Sequence, residues 1–262
     1  MGRAWVRVAG LLVLLAKAGM PTVALAQDAG FFGPPETPKK LGVAFVNVTA
    51  SDWEFYVSSG AKLAPFSGLN QPGFRLLYSL GTKLREQDPL VLGRFNRFAG
   101  GRVLMGYEWH WGSLAVTTLV GPSLSLHSPW ERAVTRYEGR LGAAGLIEFW
   151  QSWNNHSTLP NGFTSGTLVL DAAEASAFLR LRHGFATGWQ NLAIGPELSF
   201  STGQRRTVGA LVGRDSWFKT RIGLHANGLS FGNFGLNASA GYEWRIHQRS
   251  SAYAEITALY SY

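Results

Sequence analysis

The stretches 216-SWFKTRIGLHAN-227, 234-FGLNASAGYEWR-245 and 251-SAYAEITALYSY-262 decide the fold of this chain. In the first, Phe218, Thr220, Ile222, Leu224 and Ala226 fall on one side, and Trp217, Lys219, Arg221, Gly223, His225 and Asn227 on the other. The second sets Phe234, Leu236, Ala238, Ala240, Tyr242 and Trp244 against Gly235, Asn237, Ser239, Gly241, Glu243 and Arg245. The third has Ala252, Ala254, Ile256, Ala258, Tyr260 and Tyr262 on its apolar side. A period of two marks a strand between two unlike environments, because successive side chains point to opposite faces. Long, regular strands with one apolar face, running to an aromatic last residue, predict a sheet closed on itself in a membrane.

Composition agrees. The 262 residues include 32 Gly, 10 Trp, 8 Tyr and 16 Phe but only 15% charged residues, and mean hydropathy is +0.01. A soluble domain carries about 25% charged residues. Lipid outside and water inside would give average hydropathy with no long apolar run. The first residues read as a cleaved signal peptide, 1–26: Arg3 and Arg7 precede the apolar stretch Val8–Ala16, and Ala24-Leu25-Ala26 is a small-residue cleavage site. No stretch reaches the ~20 apolar residues of a spanning helix. Cleavage removes three cations and no acid, taking the net charge from +8 to +5. An exported chain of this charge is read as meeting lipopolysaccharide phosphates or anionic sugars, with no nucleic-acid partner. The absence of cysteine excludes a disulfide scaffold and any thiolate metal site.

Residues 27–40 form a Pro/Gly-rich leader, and 41–262 one barrel domain. Alternation and turn signals place strands over 41–49, 53–60, 72–82, 101–110, 113–124, 137–149, 164–171, 174–184, 190–201, 216–227, 234–245 and 251–262. The expected fold is an all-β, transmembrane, antiparallel up-and-down barrel of about twelve strands, with ten as the alternative if 41–49 joins the leader. Bacterial barrels keep both ends in the periplasm. The connections 83–100 and 202–215, the longest and most polar, then lie outside the cell. A soluble sandwich would cover its outer face with Lys, Glu, Ser and Thr. Here the polar side is Gly, Ser, Asn and isolated charges, and the apolar side ends in Trp109, Trp111, Trp150, Trp153, Tyr242, Trp244, Tyr260 and Tyr262, as interfacial girdles do.

Several residue sets are candidates for function. Arg75, Glu108, Arg180, Arg182, Glu197, Lys219, Arg221, Glu243 and Arg245 fall on the polar faces. They read either as a selectivity lining for anionic or sugar ligands or as an ion-pair network plugging a narrow barrel. The six histidines lack metal-ligand spacing, so no metal and no cofactor is expected. His247 and Ser250, three apart in an expected turn, are the one pair with hydrolase flavour, a basic imidazole beside a hydroxyl at the rim. Trp150, Trp153, Asn154, Asn155 and Asn161 are either sugar-stacking or interface anchors. Tyr260 and Tyr262 resemble the terminal signal read by the barrel-assembly machinery.

Trp53-x-x-Tyr56-x-x-x-Gly60 is followed by Gly73-Phe74-Arg75, Gly106-Tyr107-Glu108, Val120-Gly121, Gly195-Pro196-Glu197, Arg221-x-Gly223 and Gly241-Tyr242. In order and spacing this series resembles the cellulose biosynthesis protein BcsS family of outer-membrane barrels, over about residues 50–262. The resemblance implies a non-enzymatic accessory role in making or exporting cellulose or a related exopolysaccharide, alongside its secretion complex. It supplies no catalytic residue. The segment Gln204–Asp215 is longer than the family's usual connection. The rival readings are a general porin or structural barrel, and a lipid A or phospholipid hydrolase using His247 and Ser250.

Overall fold

A computed structural model describes residues 40–86, 95–128, 138–153, 161–189, 191–206, 214–246 and 250–262. Residues 1–26, expected to be a signal peptide, almost all of the expected leader 27–40 and His247 lie outside the described residues. Twelve strands follow one another: β1 (Gly42–Ser51), β2 (Glu54–Leu63), β3 (Gly73–Glu86), β4 (Phe95–Trp111), β5 (Leu114–Ser128), β6 (Glu138–Trp153), β7 (Gly162–Asp171), β8 (Ser176–Ala186), β9 (Ala193–Arg206), β10 (Arg214–Phe231), β11 (Phe234–Arg245) and β12 (Ser251–Ser261). Each pairs antiparallel with its sequence neighbours, and β1 pairs with β12 from Val43↔Ser261 to Ser51↔Tyr253, closing the barrel. The ten-strand alternative is therefore excluded, because 42–51 is half of the seam.

The outer face is apolar. Leu80, Val120, Leu141, Ile222, Leu224 and Ile256 are exposed there, with Leu141 at 84%. A tilted strand of about ten residues spans the ~25 Å apolar band of such barrels. Water would not tolerate that surface, so the barrel spans a membrane. Tyr107, Trp109 and Trp111 collect outside the end that holds both termini, with Phe234 and Tyr262, while Tyr242 and Trp244 ring the other end. Trp150 departs from the expected girdle. It sits on the inward parity of β6, stacked on the buried Phe163 with centroids 4.0 Å apart.

Several strands outrun the sequence reading. The expected connection 83–100 shrinks to 87–94, because the β3–β4 ladder continues to Glu86↔Phe95. Likewise 202–215 shrinks to 207–213, with β9 and β10 paired as far as Arg206↔Arg214. Above the lipid the outer face no longer has to be apolar, so hydrogen-bonded strand reads as polar loop. Glycines on the ladder mark close approach: a Cβ on Gly106 or Gly195 would fall 2.0 or 1.8 Å from the carbonyl oxygen of Thr118 or His183.

Candidate functional site

Eight strands leave an interior that ordinary side chains just fill. Twelve leave more, and this barrel fills it with long charged side chains, an apolar layer and one folded-in loop. At the end that carries the termini, Arg75 is fully buried and ion-pairs Glu108 at 2.9 Å. It also donates to Ser67 Oγ and to the carbonyls of Gly68, Leu69 and Gln71, which pins the 64–72 loop inward. Glu108 accepts from Thr117 Oγ1 at 2.7 Å and sits 2.9 Å from His110 Nε2. Lys62 reaches from β2 to Glu108 (3.2 Å) and across the lumen to Glu148 on β6 (3.0 Å).

Beside this floor lies an apolar layer of Val43, Phe45, Leu77, Leu104, Leu119, Leu146 and Leu259, with Leu69 of the loop packed against it. On the facing strands Arg180 of β8 holds Glu255 of β12 through two hydrogen bonds of 2.9 and 2.8 Å. Arg182 pairs with Glu197, which also accepts from Tyr253 Oη at 3.2 Å. Toward the other end, Glu54 gathers Arg85 (2.9 Å), Lys219 (3.0 Å) and Arg245 (3.4 Å). Glu243, with no exposed surface, takes Arg221 Nε and Arg245, each at 2.9 Å. Lys62–Glu148, Arg180–Glu255 and Lys219–Glu54 each join strands four apart, a third of the way round the barrel, so they tie separate parts of the wall together across the lumen.

All nine charges singled out from the sequence are buried in this network. Sequence reading missed Glu54, Lys62, Arg85, Glu148 and Glu255 as members. Lys62 continues the parity of Ser58 and Gly60, and Arg85 that of Ser79, Gly81 and Lys83; both lie past strand ends drawn too early. Ser250 is exposed at the connection before β12. Tyr260 and Tyr262 face outward, their rings stacked at 6.4 Å between centroids. The backbone of Tyr262 bonds Leu41 and Gly42 and completes the seam. Trp153 Nε1 donates to Thr164 Oγ1 at 2.9 Å, as an anchored wall residue would. Asn154 and Asn155 lie outside the described residues. Among the described residues no group of three His, Cys, Asp or Glu could hold a metal ion.

Above the ion pairs the lumen opens into a cavity of about 220 Å³ at the mouth opposite the termini. Tyr56, Lys83, Phe98, Arg102 and Trp217 line its walls, and Arg180, Lys219 and Glu255 its base. Gly81 lies under Tyr56 and Gly203 under Trp217: a Cβ on either would come within 2.8 Å of the ring system or its hydroxyl. These two glycines let the rings lie flat against the wall. The arrangement can hold a polar ligand at the mouth, but the filled interior below leaves no wide path through.

Comparison with known proteins adds the following. The β domain of the Bordetella autotransporter BrkA is similar at 15% identity over 86% of this chain and 100% of that one, with a TM-score of 0.47. The transport unit of the autotransporter AIDA-I from Escherichia coli is similar at 10% identity over 91% and 95%, with a TM-score of 0.37. No curated protein sequence matches the chain. The family described as cellulose biosynthesis protein BcsS matches residues 43–262, the whole barrel from β1 to the last residue. This chain belongs to the cellulose biosynthesis protein BcsS family.

Proposed function

We propose that this protein is a non-enzymatic outer-membrane barrel that serves cellulose or exopolysaccharide production from its outer mouth, and that it does not act as a conduit. The observation that carries this is the filled lumen: cross-barrel ion pairs and an apolar layer occupy the path a polymer would take. In this reading residues 1–26 direct export, 27–40 form a leader, and the cavity mouth faces the outside because both termini lie at the other end. The nine charges identified from the sequence act as a plug. Tyr260 and Tyr262 present the end of the chain to the barrel-assembly machinery, and the outer face meets lipid and lipopolysaccharide. The partner is the cellulose synthesis and secretion complex.

The test is deletion in a cellulose-producing strain, with surface cellulose and synthase activity in membranes measured side by side. Surface cellulose should fall while membrane synthase activity persists. Unchanged cellulose would refute the reading. A porin reading predicts steady current in planar bilayers, whereas the filled barrel should pass little. A hydrolase reading requires Ser250, so Ser250→Ala should leave lipid A acylation and phospholipid composition unchanged.

A further inference from the structure

Every lumen cation named in the network above has a carboxylate partner. Two cations of the outer cavity do not. Lys83 of β3 and Arg102 of β4 point inward and line the cavity, and no described carboxylate lies within ion-pair distance of either. The Lys83 ammonium rests between the rings of Tyr56 and Phe98, 5.7 and 6.0 Å from their centroids. Arg102 Nε donates to Ser79 Oγ at 3.2 Å. A ring face holds an ammonium through its quadrupole without cancelling the charge. Gly81 and Gly100 lie on the inward face between the two cations and add no side chain of their own; the Tyr56 ring covers Gly81 and the Glu174 carboxylate lies over Gly100.

The nearby acids do not neutralise the pair. Glu54, which lines the same cavity and attracts Lys83 beyond ion-pair distance, is already shared by Arg85, Lys219 and Arg245. Asp171 Oδ1 caps the β7–β8 turn by accepting from the backbone N–H of Ala173 and Glu174, and accepts from Ser123 Oγ at 3.0 Å. The Glu174 carboxylate lies over Gly100, where a Cβ would be 3.4 Å from Oε1, and is itself exposed. Unpaired positive charge between low-dielectric walls concentrates anions, and a guanidinium takes a carboxylate through two parallel N–H bonds. The cavity is below the ~300–1,000 Å³ of a pocket that encloses a small molecule. It therefore suits a ring or two of a longer chain, with the faces of Tyr56, Phe98 and Trp217 beside it.

We propose that the outer mouth binds an acidic oligosaccharide, with the carboxylate of a uronate-type residue between Lys83 and Arg102. The proposal rests on the polysaccharide role above and narrows it to an acidic or acid-substituted chain. Glu174 then acts as a resident competitor on the turn. The test uses the full barrel in lipid nanodiscs and isothermal titration with three probes: a galacturonate oligomer, a cello-oligosaccharide of equal length, and inorganic phosphate. The galacturonate oligomer should bind tightest, at least about tenfold tighter than either other probe, and more weakly as salt rises. Lys83→Gln and Arg102→Gln should each weaken it about tenfold, as the loss of one charge-assisted hydrogen bond does. Glu174→Gln should strengthen it. Heat-modifiable migration on gels confirms that each variant is folded. Equal binding of the neutral oligomer, or wild-type affinity in folded Lys83→Gln and Arg102→Gln, overturns the proposal. So does tightest binding of phosphate, which would mark a simple anion site. If no probe binds, this proposal falls, while cellulose output of the deletion strain judges the accessory role separately.

Discussion

Replacing Glu243 by Gln removes a charge without opening a cavity, so it isolates the electrostatics of the plug. Glu243 is fully buried and accepts from Arg221 Nε at 2.9 Å and Ser51 Oγ at 3.2 Å, with Arg245 at 2.9 Å and Lys219 at 4.0 Å. With it neutral, Lys219 and Arg245 have only Glu54 within ion-pair distance, and Arg221 keeps only the longer-range attraction of Glu54 and Glu255. Removing one partner of a buried pair costs about 3–5 kcal/mol, because the other charge stays buried and uncompensated. Glu243→Gln should lose that much stability in urea titrations of the barrel folded into lipid vesicles, followed by tryptophan fluorescence. Combining Glu243→Leu with Arg221→Met removes both members of a pair and should recover most of the loss, since apolar replacement of a whole buried pair is near neutral or stabilising. A Glu243→Gln protein within about 1 kcal/mol of wild type would refute the reasoning. It would mean that water and salt screen the lumen, and that the ion pairs are not what fills it.

Three further outcomes follow from other parts of the barrel. A Cβ on Gly166 would lie 2.2 Å from the Phe149 ring, so Gly166→Ala should cost about 1–3 kcal/mol in the same titration, and adding Phe149→Ala should relieve the clash. Replacing residues 65–71 by a two-residue turn takes away Leu69 and the loop partners of Arg75; single-channel conductance in planar bilayers should rise from near zero but stay well below open-pore values, because the cross-barrel ion pairs and the rest of the apolar layer remain. Deleting Tyr260–Tyr262 removes the backbone bonds of Tyr262 to Leu41 and Gly42 and the end of the β1–β12 ladder, so the truncated chain should show no heat-modifiable folded band.

The fold was legible because lipid and lumen impose opposite chemistry on alternate residues. Phe234 to Trp244 shows this at every second position. Strand ends were less legible, because the constraint stops where the lipid stops. Arg85 and Phe98 lie on ladder that looks like loop, and this is the part of the wall that frames the outer cavity. Parity could place a charge on a face but could not pair it. Arg180 and Glu255 are 75 residues apart, and only closure of the barrel brings their strands within reach. Trp150 and Trp153 read alike in the sequence as apolar-side aromatics, yet their three-residue spacing puts them on opposite faces of β6. Lys83 carried no signal at all, since what distinguishes it is that no carboxylate among the described residues comes within ion-pair distance, the neighbouring strand's Glu54 being engaged by other cations.

The seam sets the order of events. Eleven of the twelve ladders join strands adjacent in the chain, and each can form as a local hairpin. The twelfth joins residues about as far apart as the chain allows: Asn47 donates to Thr257 across 210 positions. Closing a free loop of that length would cost roughly 5 kcal/mol in chain entropy. After eleven hairpins have formed, the two edges already lie near one another, and most of that loss has been met in small steps. Until Tyr262 arrives, however, the unfinished sheet has two bare edges able to pair with any other strand. Completion is thus a single late step that depends on β12 reaching β1, and the time before it is when this chain most needs an escort.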